Sequence, residues 1–136
     1  MVEKLTVNLL TPDTVVLQKE AEMILVPGDD GEIGILPEHI ALVTRLKPGV
    51  VKIYNAGKVE DKIFISGGFA KVHQNQLNIL VESYNNIEDL NAELTQKEIS
   101  HFEEELMTSE NEDFLNSTFK EIALRRKIIE TIQEYR

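Results

Sequence analysis

The chain has 136 residues, 42% hydrophobic and 28% charged, enough for one ordinary domain or a small domain carrying an appendage. Twenty-four Asp and Glu against fourteen Lys and Arg leave a formal net charge of −10, which argues against nucleic acid as the main partner and against simple adsorption to anionic lipid. The absence of cysteine excludes disulfides, thiolate catalysis and cysteine-ligated metal centres.

Folded-looking sequence begins at once, with Leu5, Val7 and Leu9 alternating with polar neighbours. The opening residues have neither the basic flank and apolar run of a signal peptide nor the arginines of a transit peptide, and no stretch is long enough to span a bilayer, so a soluble chain is expected. Further short apolar or alternating runs follow at residues 15–17, 23–26, 33–36, 50–54, 62–65 and 77–81. Turn-forming Gly, Pro, Asn and Asp separate them at residues 27–31, 48–49, 55–57 and 67–68. Many short strands at close spacing, with no helical stretch between them, predict antiparallel sheets closed into a β-sandwich or flattened barrel over residues 1–85.

Past Tyr84 the turns stop. Residues 87–136 contain no Gly and no Pro and are dense in Glu, Leu, Ile and Lys, which predicts helix. Asn86 is the expected first N-cap, and Leu90, Leu94, Phe102 and Leu106 form an apolar stripe that Ile99 flanks. The polar break at residues 108–112 carries Ser109 and Glu112 at capping-box spacing, which restarts a helix whose apolar side is Leu115, Phe119, Ile122, Ile129 and Ile132. The expectation for residues 86–136 is an antiparallel two-helix hairpin, with helices at about 87–107 and 112–135. Two short helices cannot bury a core alone, so the hairpin should dock on the sandwich or on another protein, a candidate mobile element. Charge divides unevenly: residues 86–112 hold nine anions and the single cation Lys97, whereas residues 113–136 hold five cations and four anions.

Catalytic patterns are largely missing. His39, His73 and His101 are far apart, with no paired-histidine metal motif, and no Gly-x-Ser-x-Gly elbow marks a nucleophile. Ser66-Gly67-Gly68 reads as a turn into the next strand. The Gly28–Gly31 stretch carries Asp29 and Asp30, which would repel a phosphate, and it lacks the ligand spacing of a calcium loop. Asn116-Ser117-Thr118 spells a glycosylation acceptor inside a predicted helix and is read as chance. No cofactor, no metal site and no enzymatic activity are expected. The feature that stands out is residues 26–39, VPGDDGEIGILPEH, whose density of Gly, Pro, carboxylates and a histidine suits a partner-contact loop on a rigid scaffold.

Residues 26–39, followed by LVTRLKPGV at 42–50 and SGGFAKV at 66–72, resemble the epsilon subunits of F-type ATP synthases, bacterial type, and the likeness extends along the whole chain. The resemblance implies a non-catalytic central-stalk subunit of the proton-translocating F1Fo complex, coupling c-ring rotation to the catalytic head. Its sandwich would bind the gamma subunit and rest on the c-ring loops, and the hairpin would brake ATP hydrolysis by reaching the α/β subunits of the head. Glu32 and His39 match positions associated with the c-ring contact, both read as flanking one tight polar loop. Arg125, Arg126 and Lys127 are the cations that would meet acidic residues of the head. Some relatives bind ATP through an Ile/Leu-Asp-x-x-Arg-Ala motif. Here Leu90, Asn91, Leu94 and Thr95 stand in its place, without the acid or the arginine, so tight ATP binding is not expected. The implied location is peripheral, at the cytoplasmic face of the bacterial inner membrane. The competing reading is a free-standing β-sandwich module that homodimerises through its hairpin.

Overall fold

The computed structural model describes residues 4–135; the outermost ends of the two predicted domains, residues 1–3 and 136, lie outside the described residues. The chain divides into two units between Asn86 and Ile87.

The first unit contains ten strands: β1 (Leu5–Leu10), β2 (Val15–Ala21), β3 (Met23–Gly28), β4 (Gly31–Ile35), β5 (Leu42–Leu46), β6 (Gly49–Asn55), β7 (Lys58–Ile65), β8 (Gly68–His73), β9 (Gln76–Val81) and β10 (Tyr84–Asn86). They form one curled sheet in the order β10-β7-β6-β3-β5-β8-β9-β1-β2, with β4 on the other side of β3. The curl turns at β3 and β5, which share the single pair Gly28 and Leu46. Strand period then does the rest, since alternate residues face inward. Ile24, Val26, Ile35, Val51, Ile53, Ile63 and Ile65 of one half meet Leu5, Val7, Leu9, Ala70, Val72, Leu77 and Ile79 of the other in one buried cluster. These are mostly β-branched residues and leucine, which fit a pleated, half-buried surface.

Two features depart from the expected pattern. The sheet is antiparallel except at β1 and β9, which run parallel from Thr6–Gln76 to Leu10–Leu80. Strands β5, β8 and β10 also fall outside the apolar runs read from sequence. In β8 and β5 inward positions alternate with exposed ones, Phe69 and Lys71 in β8 and Val43 and Arg45 in β5, and this mixed composition hides the period.

Turn chemistry matches the local backbone. The β8–β9 turn places Gln74 and Asn75 at φ 50° and 60°, and the β6–β7 turn places Ala56 and Gly57 at 54° and 71°, the left-handed pairs that two-residue hairpins demand. Gly68, at φ 151°, passes so close to β9 that a Cβ would overlap the Leu80 carbonyl oxygen. No other residue type fits there.

The open edges of the curl are stitched by polar contacts. The buried Asn55 side chain accepts from the Glu22 amide at 3.1 Å and donates to the Glu20 carbonyl at 3.0 Å. The Glu22 carboxylate in turn accepts from the Ala56 amide. Farther along β2, Lys19 reaches Glu60 at 2.6 Å and Asp61 at 2.7 Å on β7.

The second unit opens with a 3-10 turn, Ile87–Asp89, followed by α1 (Ala92–Thr108) and α2 (Glu112–Tyr135). Helix α1 therefore starts later than expected, and its N-cap is Asn91, whose side chain accepts from the Leu94 amide at 2.9 Å. Asn86, the expected cap, is instead the last residue of β10, paired with Ile63. Asn111 caps α2 in the same way, accepting from the Phe114 amide at 2.9 Å. Ser109, the expected cap, closes α1 and accepts from the Asn111 amide at 3.2 Å. In both corrections the asparagine nearer the helix wins, because a cap must sit within reach of the amide three residues on. The expected stripes are partly exposed: Leu90 and Ile122 are buried, whereas Leu94 and Phe119 are exposed, and the flanking Ile99 is buried instead.

Candidate functional site

Three surfaces carry the residues singled out from sequence. The first is the β3–β4 hairpin. Gly28 pairs with Gly31 across the exposed tip residues Asp29 and Asp30, and Gly31 adopts φ 138°. The tip is tied back to β5 by the Asp29 amide, which donates to the Arg45 carbonyl at 3.3 Å. Glu32 follows the tip, paired with Pro27, and its carboxylate lies 3.5 Å from the Lys52 ammonium of β6. About half of the Glu32 side chain remains accessible, so this pair holds the carboxylate at the surface. The Lys52 side chain is only 17% exposed, so the pair is partly shielded from solvent on the lysine side.

His39 is not part of that tip. It lies beyond the other end of β4, in a turn closed by its amide donating to the Leu36 carbonyl at 3.1 Å. Its Nδ1 is 2.7 Å from the Ile40 carbonyl. The neighbouring Glu38 has φ 67° and donates its amide to Asn75 Oδ1 at 2.6 Å, which fastens this turn to the β8–β9 turn. About 13 Å of extended chain separates Glu32 from Leu36. The structure therefore does not bring Glu32 and His39 to one loop, because a strand, not a turn, connects them. Leu36 and Ile40, on either side of this turn, are exposed, Ile40 to 79%.

The second surface escaped the sequence reading. On the outer face of the sheet, cross-strand pairing aligns Arg45 of β5, Phe69 of β8, Leu80 of β9 and Leu10 of β1 in one row. Phe69 is 52% and Leu80 46% exposed, and the Arg45 guanidinium lies 5.9 Å from the Phe69 ring centroid. With strands about 4.8 Å apart, the row runs roughly 14 Å across the sheet. The next row is mostly polar, Val43, Lys71, Asn78 and Asn8, with Asn8 donating to Asn78 at 2.9 Å. An apolar row bordered by polar residues on a rigid face is suited to a protein partner. Period two in β8 and β9 was the available signal, but which outward residues line up depends on register.

The third surface is the mid-portion of α2. Arg125, Arg126 and Lys127 are consecutive yet occupy different environments. Arg125 Nε donates to Glu98 of α1 at 2.7 Å, Nη1 bonds Glu121 one turn earlier, and the guanidinium lies 4.7 Å from the Phe102 ring centroid. Burial alone would lower the Arg125 pKa, but the hydrogen bonds and charges of Glu98 and Glu121 outweigh it, so the pKa rises. Lys127 is half-buried, 3.4 Å from Glu130, and Arg126 is exposed. Helical geometry explains the split, since successive residues step about 100° around the axis.

Leu90, Asn91, Leu94 and Thr95 build the start of α1. Leu90 is buried, Asn91 caps, Leu94 is exposed, and the Thr95 hydroxyl donates to the Asn91 carbonyl at 2.7 Å. Among the described residues no cluster of three His, Asp or Glu side chains is arranged to hold a metal ion.

Comparison with known proteins points one way. The sequence pattern of the ATP synthase delta/epsilon chain beta-sandwich domain matches residues 4–87. The chain is 28% identical to the ATP synthase epsilon chain of Parvibaculum lavamentivorans, covering 97% of this chain and 100% of that relative. It is 32% identical to the ATP synthase epsilon chain of Delftia acidovorans, covering 96% and 94% respectively. The fold matches a chain in the Euglena gracilis mitochondrial ATP synthase OSCP/F1/c-ring assembly with a TM-score of 0.79, at 24% identity, covering 94% of this chain and 81% of that one.

Proposed function

The chain belongs to the ATP synthase delta/epsilon chain family, and on that premise we propose that it is a non-catalytic central-stalk subunit of a proton-translocating F1Fo ATP synthase. In this reading it passes c-ring rotation to the catalytic head and restrains ATP hydrolysis through its C-terminal helices. The observation that carries the stalk role is the outer-face row of Arg45, Phe69, Leu80 and Leu10. A rotor part must hold a partner without slipping, and an apolar row on a hydrogen-bonded sheet gives a seat that does not deform. We assign the gamma subunit to that seat.

The c-ring loops belong to the acidic tip, Asp29, Asp30 and Glu32, which can accept hydrogen bonds or pair with cations on a polar loop. His39, at the far end of β4, serves a separate contact beside the exposed Ile40. For the braking contact with the α/β subunits of the head, the exposed Arg126 is the cation best presented, Lys127 being shared with Glu130 and Arg125 with Glu98 and Glu121. No helix of the described residues is long and apolar enough to cross a membrane. The chain is held peripherally, at the cytoplasmic face of the bacterial inner membrane, by its partners.

The test is ATP hydrolysis by F1 depleted of its epsilon subunit, titrated with the full chain, with gamma binding followed in parallel. Binding together with inhibition is expected. Binding without inhibition removes the brake and keeps the stalk role; no binding to gamma overturns the reading.

A further inference from the structure

Three of the four non-glycine residues with positive φ among the described residues meet in one place: Glu38 at 67°, Gln74 at 50° and Asn75 at 60°. The last two form the β8–β9 hairpin turn, where left-handed backbone is expected. Glu38 has no such reason of its own. Leu36 to His39 is a β-turn closed by the His39 amide on the Leu36 carbonyl at 3.1 Å, with Pro37 fixing its second position. Positive φ at the third position makes it type II, a turn that favours Gly or Asn at that site. A glutamate stays there only where its surroundings hold it. The hold is the Asn75 side chain, whose Oδ1 accepts from the Glu38 amide at 2.6 Å. Asn75 is anchored in turn, because its carbonyl accepts from the Thr6 amide of β1 at 2.9 Å.

The strained turn carries an exposed apolar side chain on either side, Leu36 and Ile40. Val43, also exposed, shares the outer face of β5 with Arg45. Five residues of chain keep Ile40 within about 18 Å of Arg45, inside the span of one ordinary interface. Exposed apolar residues thus run from Leu80 and Phe69 through Val43 to Ile40 and Leu36. We propose that Asn75 is a positioning residue for partner binding: by holding Glu38 in the left-handed turn, it presents Leu36 and Ile40 as a second apolar anchor for the gamma subunit. The proposal rests on the assignment of gamma to the outer row. A turn set before the partner arrives spares the complex the cost of ordering it. Without the Asn75 acceptor the Glu38 amide loses its partner, nothing keeps a glutamate at left-handed φ, and the two apolar side chains lose their fixed spacing.

The affinity of the full chain for F1 depleted of its epsilon subunit tests this, with strand content from circular dichroism alongside. Asn75→Gly keeps the left-handed backbone and removes only the acceptor, whereas Asn75→Asp keeps both. Asn75→Gly should weaken binding about fivefold at unchanged strand content, and Asn75→Asp should bind like the parent. Leu36→Ser combined with Ile40→Ser should weaken binding about tenfold. Adding Asn75→Gly to that pair should weaken it no further, because Asn75 acts through those two side chains; a general structural role would make the effects multiply. Parent-like affinity in Asn75→Gly overturns the proposal, as do multiplying effects in the triple variant. So does parent-like binding of the Leu36→Ser, Ile40→Ser chain to F1 with loss of binding to the c-ring, which gives the turn to the c-ring. Phe69→Ser, measured in parallel, separates the premise. A loss there with none in the turn variants keeps gamma on the outer row and removes the second anchor, and failure of the parent chain to bind overturns both.

Discussion

The Lys19 ammonium of β2 stands 2.7 Å from the Asp61 carboxylate of β7, although the two strands lie near opposite ends of the sheet order. The pair closes the curl, with Glu60 completing it at 2.6 Å. Hydrogen bonds to Asp61 and then Glu60 raise the Lys19 pKa, and the bond from Lys19 lowers that of Glu60.

Both shifts make stability depend on pH. A raised lysine pKa contributes stability that is present below its ordinary 10.5 and is lost as pH rises through the folded value. A lowered glutamate pKa contributes above its ordinary 4.5 and is lost as pH falls through the folded value. Lys19→Met should therefore flatten the fall in urea midpoint at both extremes. At pH 7 it should cost about 1 kcal/mol, read from the same urea titrations.

Asn55→Leu tests the neighbouring stitch. The substitution removes the side-chain donor to the Glu20 carbonyl and the second acceptor of the Glu22 amide, which keeps the Tyr54 carbonyl at 3.0 Å. A loss of about 1–2 kcal/mol in chemical denaturation is expected, with the strand content otherwise retained.

The two caps are separable from the rest of the hairpin. Asn91→Ala and Asn111→Ala each remove a side-chain acceptor from a helix start and should cost about 1 kcal/mol of helix stability. Asn86→Ala should change helix content little, because that residue belongs to β10. Thermal melts followed by circular dichroism distinguish the three. Calorimetric titration of the parent chain with ATP should give no tight binding, the Asn91 side chain being engaged in the cap.

The outer row predicts a binding defect without a folding defect. Phe69→Ser and Leu80→Ser each remove an exposed apolar side chain, so stability should move by less than about 1 kcal/mol. Gamma affinity should fall at least about tenfold for each, as expected of central interface residues. Lys71→Ser, in the adjoining polar row, should have little effect on either readout.

Gly68→Ala is the backbone control. With φ at 151° and the Leu80 carbonyl in the way, it should destabilise the sandwich by about 2 kcal/mol or more, whereas Gly57→Ala, at φ 71° with open space around it, should cost only about 1 kcal/mol. Urea midpoints of the two variants decide the point.

The distribution of Gly and Pro, the alternation in Leu5, Val7 and Leu9, and the Glu-rich run after residue 87 were enough to read strands first and a helical pair last, since backbone sterics and side-chain period act locally. The motifs at residues 26–39, 42–50 and 66–72 carried the family. Other relationships required the folded chain. The parallel pairing of β1 with β9 joins residues some seventy positions apart, and period two says which way a side chain faces without saying which strand lies alongside. The same holds for the Arg45–Phe69–Leu80–Leu10 row, which exists through register alone. Asn91 and Asn111 cap the helices where Asn86 and Ser109 were expected because the cap depends on where the backbone enters the helix. Arg125, Arg126 and Lys127 read as one basic run, yet the folded chain commits Arg125 to Glu98 and Phe102 and leaves Arg126 exposed. A charge is legible in sequence; its partner is a matter of distance, and distance between residues far apart in the chain is decided by the tertiary fold.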